Sequence, residues 1–234
     1  MYSVKYEDFG LKDYKETWDY QEKIFQKIVN KKRENVASGP GSNEPVCGTL
    51  IFVEHPNVYT LGKSGSETNL LLDHIQLQDK EAQFYRIDRG GDITYHGPGQ
   101  LVGYPIFDLE QIGINLKKYI HLLEESVIDT LSEYKITASR LEGATGVWLD
   151  PETIGKSRKI CAIGVRASKY VTMHGFAFNI NTNLDYFNYI NPCGYTDKGV
   201  TSMERELGRQ QDMTAVKSSL KKSLGEIFNL KWVN

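Results

Sequence analysis

The sequence predicts an α+β protein, a central mixed sheet flanked by helices, in one domain spanning residues 1–234 with its core at about 45–225. Three observations predict it. Three long stretches carry apolar residues at three- and four-residue steps, the period of a helix buried along one side. Between them lie short apolar runs bounded by glycine, proline and polar clusters, which read as strands. Strands and helices alternate without a strict strand–helix–strand rhythm, so the sheet is expected to be mixed rather than parallel.

From Asp13 to Arg33, Tyr14, Trp18, Phe25 and Ile28 mark a helix whose apolar stripe has one gap, at Gln21. Ala37 to Pro45 is polar and punctuated by Gly and Pro, the composition of a loop. Leu50 to Glu54 is a short apolar run, a buried strand. Phe84 to Asp88, Ile93 to Tyr95 and Leu101 to Phe107 are expected as strands around a glycine-rich segment. Leu116, Tyr119, Ile120, Leu123, Val127, Ile128, Leu131 and Tyr134 form the cleanest helical stripe, with Asn115 as its N-cap. Three strands follow, Gly146 to Leu149, Lys159 to Arg166 and Val171 to Ile180, the last two joined by the hairpin-length Ala167-Ser168-Lys169-Tyr170. Thr201-Ser202-Met203-Glu204 has the form of a capping box opening a short helix. Asp212 caps a last helix with Met213, Val216, Leu220, Leu224 and Ile227 on its apolar face.

Composition narrows the function. A net charge of −2 argues against a nucleic-acid scaffold. The three cysteines, at 47, 161 and 193, suit a reducing cytoplasm better than a disulfide-stapled secreted domain. The start, Met1-Tyr2-Ser3-Val4-Lys5-Tyr6-Glu7-Asp8, has neither an apolar signal core nor an Arg-rich transit character, and no apolar run reaches a membrane span. A cytoplasmic protein without nucleic-acid or membrane partners is expected. His and Cys are too scattered for zinc-ligand spacing, so no metal and no cofactor is assigned.

Most of the functional information sits in Arg89-Gly90-Gly91-Asp92-Ile93-Thr94-Tyr95-His96-Gly97-Pro98-Gly99-Gln100-Leu101. Glycine lets a backbone approach a ligand closely, so such a cluster beside a strand shapes a pocket. A bland turn needs neither the guanidinium nor the imidazole.

This run resembles the signature of the lipoyl(octanoyl)transferases, members of the biotin/lipoate–protein ligase superfamily. Two further stretches resemble the family in the expected order. One is Lys159-Ile160-Cys161-Ala162-Ile163-Gly164-Val165-Arg166, with Val171-Thr172-Met173-His174-Gly175-Phe176-Ala177-Phe178-Asn179 after it. The other is Ile190-Asn191-Pro192-Cys193-Gly194. The resemblance covers about half the chain, from Arg89 to roughly Glu204, and implies the biotin/lipoate-protein ligase catalytic-domain fold. The activity it implies is transfer of an octanoyl group from octanoyl-acyl carrier protein to the lysine of lipoyl domains, the first step of endogenous protein lipoylation. The acceptors would be the lipoyl domains of 2-oxoacid dehydrogenase E2 subunits and the glycine cleavage H protein.

The resemblance makes Cys193 the nucleophile and Lys159 its activator. Passing an acyl group from a carrier thioester to a cysteine exchanges one thioester for another and needs no ATP; aminolysis by the acceptor lysine is then downhill. A thiol of pKa about 8.5 is mostly protonated at neutral pH and must be activated. An ammonium about 4 Å away is worth about 4 kcal/mol at an effective dielectric near 20, so a net drop of one to two pKa units is reasonable after desolvation. The same lysine could protonate the departing carrier thiolate.

For substrate binding, the resemblance points to Arg89, Gly90, Gly91, Asp92, Ile93, Thr94, Tyr95 and His96, with Ala162, Ile163 and Gly164 and with Gly175, Phe176 and Ala177. His174 supports them, and His96 or His174 could orient the thioester carbonyl or relay a proton. Ala162 stands where the family often has Ser, which puts a side-chain contact there in doubt but not a backbone one. Burying about seven methylene and methyl groups would yield about 5–6 kcal/mol.

Lys156, Arg158, Lys159, Arg166 and Lys169 are expected to form a basic rim for an acidic carrier. An ATP-dependent lipoate– or biotin–protein ligase would share the fold and the lysine but has no use for Cys193. A non-catalytic acyl-carrier binding module would not require both Lys159 and Cys193, and a Cys–His hydrolase would need an oxyanion hole that is hard to locate. The octanoyltransferases with a cysteine upstream of the lysine would have to use Cys47, in an ordinary loop.

Overall fold

The computed structural model describes residues 1–37, 46–191 and 198–233. Strand β1 (Tyr2–Leu11) opens the chain, burying Tyr2 and Val4 while Lys5 faces out. Helix α1 (Tyr14–Ala37) starts where the Asp13 carboxylate accepts the Glu16 N–H at 3.0 Å, and it runs four residues beyond the expected Arg33. Most of the expected loop that follows, from Ser38 on, lies outside the described residues.

Strands β2 (Gly48–Glu54) and β3 (Val58–Leu61) come next, then helix α2 (His74–Asp79), held by a reciprocal Asp73–Gln76 capping box. Strands β4 (Gln83–Arg86), β5 (Ile93–His96) and β6 (Gln100–Ile106) follow, each within two residues of expectation. Helix α3 (Leu109–Ile112) is a single turn before helix α4 (Leu116–Glu133), which Asn115 caps by accepting the Lys118 N–H at 2.8 Å.

Strands β7 (Ser139–Leu141), β8 (Ala144–Leu149), β9 (Arg158–Ser168) and β10 (Val171–Asn179) form a run of antiparallel neighbours. The β9–β10 hairpin closes through Lys169 and Tyr170, both at positive φ, as the two-residue turn compatible with strand twist requires. A 3-10 segment (Leu184–Tyr189), strand β11 (Gly199–Val200), helix α5 (Met203–Leu207), helix α6 (Met213–Ile227) and strand β12 (Leu230–Val233) complete the chain. Ser202, not Thr201, caps α5, accepting the Arg205 N–H at 3.2 Å. Thr201 is buried and turns its hydroxyl to Glu206 instead.

Among the described residues the larger sheet runs β12-β1-β2-β6-β10-β9-β8-β7, with β11 added beside β9. It is mixed: β1 lies parallel to both β12 and β2, whereas β2–β6, β6–β10 and β10–β9 are antiparallel. Strand alternation sends Leu50 and Phe52 to one face with Leu123, Val127, Leu220 and Leu224 of α4 and α6. Ile51 and Val53 go to the other, against Phe25, Ile28 and Val29 of α1. Each such Leu, Ile or Phe contributes roughly 1.5–3 kcal/mol through burial. A small sheet, β4-β3-β5, packs its Tyr59, Ile93 and Tyr95 against the 3-10 segment.

Candidate active site

Strands β5, β6, β9 and β10 wall a cavity of about 640 Å³, within the roughly 300–1,000 Å³ usual for small-molecule sites. Leu116 and Ile120 of α4, Trp148 of β8 and Tyr14 of α1 complete its sides. Arg89, Gly90, Gly91, Asp92, Ile93, Thr94 and His96 all line it, as do Ala162, Ile163, Gly164, His174, Gly175, Phe176 and Ala177. Tyr95 does not. Its ring stacks on Tyr186 at 4.9 Å and its hydroxyl donates to Asn57 at 2.8 Å, behind the wall, because neighbouring residues of a strand point to opposite faces.

Gly175, besides lining the cavity, permits a close backbone contact. A Cβ there would lie 2.1 Å from the Gly103 carbonyl oxygen of the adjacent strand. The residue before it, His174, has φ 61°, rare for a side chain of that size. The β6–β10 ladder is interrupted here, between the Phe176–Gly103 pair and the Val171–Asp108 bridge, and Pro105 in that stretch has no N–H to donate. Gln21, the polar gap in the α1 stripe, takes up the slack: fully buried, it accepts the His174 N–H at 3.1 Å.

The two cavity histidines are neutral and differently held. Burial drives the His96 pKa down to about 3, with His55 adding to the effect. Gln100 donates its amide N–H groups to Tyr95 O and to Asn179 Oδ1, so its Oε1 must accept from His96 Nδ1, at 2.8 Å. His96 therefore carries its proton on Nδ1, and Nε2 faces the Thr60 hydroxyl at 3.4 Å. The Arg89 guanidinium donates to the same hydroxyl at 3.0 Å and to the Thr60 carbonyl at 2.7 Å. His174 is also lowered, chiefly by burial, and its Nε2 meets Asp88 Oδ1 at 3.0 Å. Asp88 sits below the usual carboxylate range through that hydrogen bond first and through Arg166 as well. Both imidazoles are thus committed to neighbours, which suits positioning better than a proton relay.

The network continues past Gln100. Asn179 Nδ2 donates to Thr201 O at 3.0 Å, and the Thr201 N–H donates to Lys159 O at 3.0 Å. A polar chain therefore links the Arg89 loop to the strand that carries Lys159.

Lys159 lines the cavity because β9 is bulged. Val147 pairs with Cys161 but Trp148 pairs with Lys159, so β9 holds one extra residue. Ile160 and Cys161 can then both be buried while Lys159 faces the opening. Cys161 is no nucleophile, since burial raises its thiol pKa far above the ordinary value, and Cys47 is not among the cavity walls. Cys193 lies outside the described residues. Asn191 and Lys198, on either side of that gap, both line the cavity, and β11 just beyond it pairs Val200 with Lys159.

The expected basic rim is reduced. Arg158 is bound by Glu206 at 2.7 Å and Asp150 at 2.5 Å, and Arg166 by Asp88 at 2.6 Å and Glu22 at 3.0 Å. Lys156 and Lys169 stay exposed. Tyr14, Gln100, Trp148 and Asn179 also stand in the walls, and no individual role for them follows from the sequence. Gln100 and Asn179 fall within the family-like stretches and stand as polar residues at the ends of apolar strands, Gln100 opening β6 and Asn179 closing β10.

Residues 13–225 match the lipoyl protein ligase A/B catalytic domain family. An octanoyltransferase of Parabacteroides distasonis is 53% identical, covering 97% of this chain and all of its own, and one of Flavobacterium johnsoniae is 54% identical over 98% of each. Among solved structures, the lipoate protein ligase of an archaeal lipoylation system from Thermoplasma acidophilum superposes with a TM-score of 0.69 at 13% identity, covering all of this chain and 87% of that one. A lipoate-protein ligase A bound with ATP gives 0.63 at 13% identity, with 100% and 89% covered. The fold is that of these ligases.

Proposed function

The chain belongs to the lipoyl protein ligase A/B catalytic domain family and is an acyltransferase that moves octanoyl groups for protein lipoylation; from that premise we propose that the octanoyl group travels through a thioester on Cys193, activated by Lys159. The observation that carries this is the convergence of three chain segments on one cavity: the Arg89–His96 loop, the bulged strand bearing Lys159, and the residues flanking Cys193.

The Cys193 thiolate attacks the thioester carbonyl of octanoyl-acyl carrier protein, the carrier sulfur leaves, and the Lys159 ammonium supplies its proton. The lysine amine of a lipoyl domain then attacks the new thioester, the amide forms, and Cys193 leaves as thiolate while Lys159 takes up the proton lost by the amine. The octanoyl chain lies along Ile163, Phe176 and Ala177, and the segment from Arg89 to Thr94, with His96, shapes the rest of the wall. Its acceptors are the lipoyl domains of 2-oxoacid dehydrogenase E2 subunits and the glycine cleavage H protein.

The proposal is tested by transfer from octanoyl-carrier to a lipoyl domain in the absence of ATP. Turnover is expected in the unaltered protein and lost in Cys193→Ala and Lys159→Ala. Alkylation of Cys193 against pH should show an apparent pKa below that of a free thiol, raised by about one unit or more in Lys159→Ala. Turnover that requires ATP, or that survives Cys193→Ala, overturns the thioester route.

A further inference from the structure

Lys159 has a seat that its role as activator does not by itself explain. Trp148 is its direct partner across β8–β9, and the ammonium lies 4.6 Å from the centroid of the Trp148 ring. The indole is 2% exposed and is locked by its Nε1–H, which donates to Ala144 O at 2.9 Å. Two residues earlier, Gly146 has φ 123°, and a Cβ there would lie 2.5 Å from the Cys161 carbonyl oxygen and 3.4 Å from Lys159 Cε. That unusual backbone is held by Glu124, which accepts the Gly146 N–H at 3.0 Å and is itself paired with Arg140 at 2.9 Å. The lysine stem thus runs past a glycine with no side chain to block it, toward an aromatic face fixed in place.

Resting on the reading that Lys159 serves the transfer, we propose that Trp148 is a positioning residue that holds the Lys159 ammonium by a cation–π contact and favours its charged form. A cation over an aromatic ring is attracted by the ring's quadrupole, more so where water is thinned. The first transfer step needs a charged lysine, both to stabilise the Cys193 thiolate and to protonate the departing carrier sulfur. Holding four flexible methylenes against Gly146 and the indole also lowers the entropy lost in reaching the reacting atoms. Among the described residues, the other charged or titratable groups at this place include Glu124 from α4, Cys161 on the lysine's own strand, Arg140 behind Glu124, and Lys198 just before β11.

The test replaces Trp148 with tryptophans carrying one to three fluorines, incorporated at that position alone. Fluorination withdraws charge from the ring face and keeps its shape, so a purely packing role would leave every readout unmoved. Two quantities are followed: the Lys159 pKa by NMR of the labelled side chain, and kcat and KM for octanoyl-carrier against pH. Each added fluorine should lower the lysine pKa and the alkaline limb of kcat in step, by about half to one unit over the series, with kcat falling several-fold and KM unchanged. Trp148→Phe should keep more activity than Trp148→Leu. A lysine pKa indifferent to fluorination overturns the proposal. A pKa that falls while kcat holds leaves the cation–π contact standing and instead removes Lys159 from the transfer.

Discussion

Replacing Gln100 with Leu removes one side chain from the polar chain between the Arg89 loop and Lys159. Gln100 is 1% exposed and serves three groups: it accepts from His96 Nδ1 and donates to Tyr95 O and Asn179 Oδ1. Leu is close in size, so the loss is of hydrogen bonds, not of volume. Each orphaned buried group costs about 1–3 kcal/mol, and the three together would cost about 3–9 kcal/mol. Gln100 borders the cavity, so water can reach part of the wound, and a net loss of about 3 kcal/mol is expected, more than a hundredfold in the folding equilibrium. Urea unfolding of both proteins, compared at equal m, measures it. The second readout is the tautomer of His96, seen by ¹⁵N NMR, which should leave the Nδ1–H form once its acceptor is gone. A loss under about 1 kcal/mol, or an unchanged tautomer, refutes the network as drawn.

Two more predictions follow from the same residues. His55 and His96, ordinarily near 6.5, are pushed down to about 4 and about 3 by burial, so unfolding takes up protons below pH 6.5; each should cost about 2 kcal/mol of stability by pH 5, and His174 acts in the same direction. Urea midpoints measured from pH 7 to pH 5 should therefore fall steeply, and a flat profile would mean that these imidazoles charge in the folded state. Gly175→Ala forces a Cβ against the Gly103 carbonyl and should lose about 2–3 kcal/mol of stability, read by thermal or urea unfolding; a neutral substitution would show that β6 and β10 can part there without cost.

Much of the architecture was legible because it rests on period. The α4 and α6 stripes, with their Asn115 and Asp212 caps, and the β9–β10 hairpin follow from spacing and cap chemistry alone. Strand β1 escaped notice because Lys5, Glu7 and Asp8 break up its apolar face, and β3 because four residues make too short a run. The walls of the site were visible as motifs, but their internal arrangement was not. Tyr95 falls behind the wall by strand alternation, which a glycine-rich run conceals. The β9 bulge that aims Lys159 depends on how β8 pairs with it, a non-local fact. Gln21 looked like a flaw in a helix and is the hydrogen-bond partner of a strained strand residue 153 positions away.

The central claim is that Cys193 carries the octanoyl group. The direct measurement is intact-protein mass spectrometry after brief mixing with octanoyl-acyl carrier protein, with neither ATP nor acceptor present. One octanoyl adduct is expected, removed by hydroxylamine, discharged on adding a lipoyl domain, absent from Cys193→Ala and retained by Cys47→Ala and Cys161→Ala. An adduct that persists in Cys193→Ala, or transfer that proceeds at full rate with no adduct forming, would contradict the account.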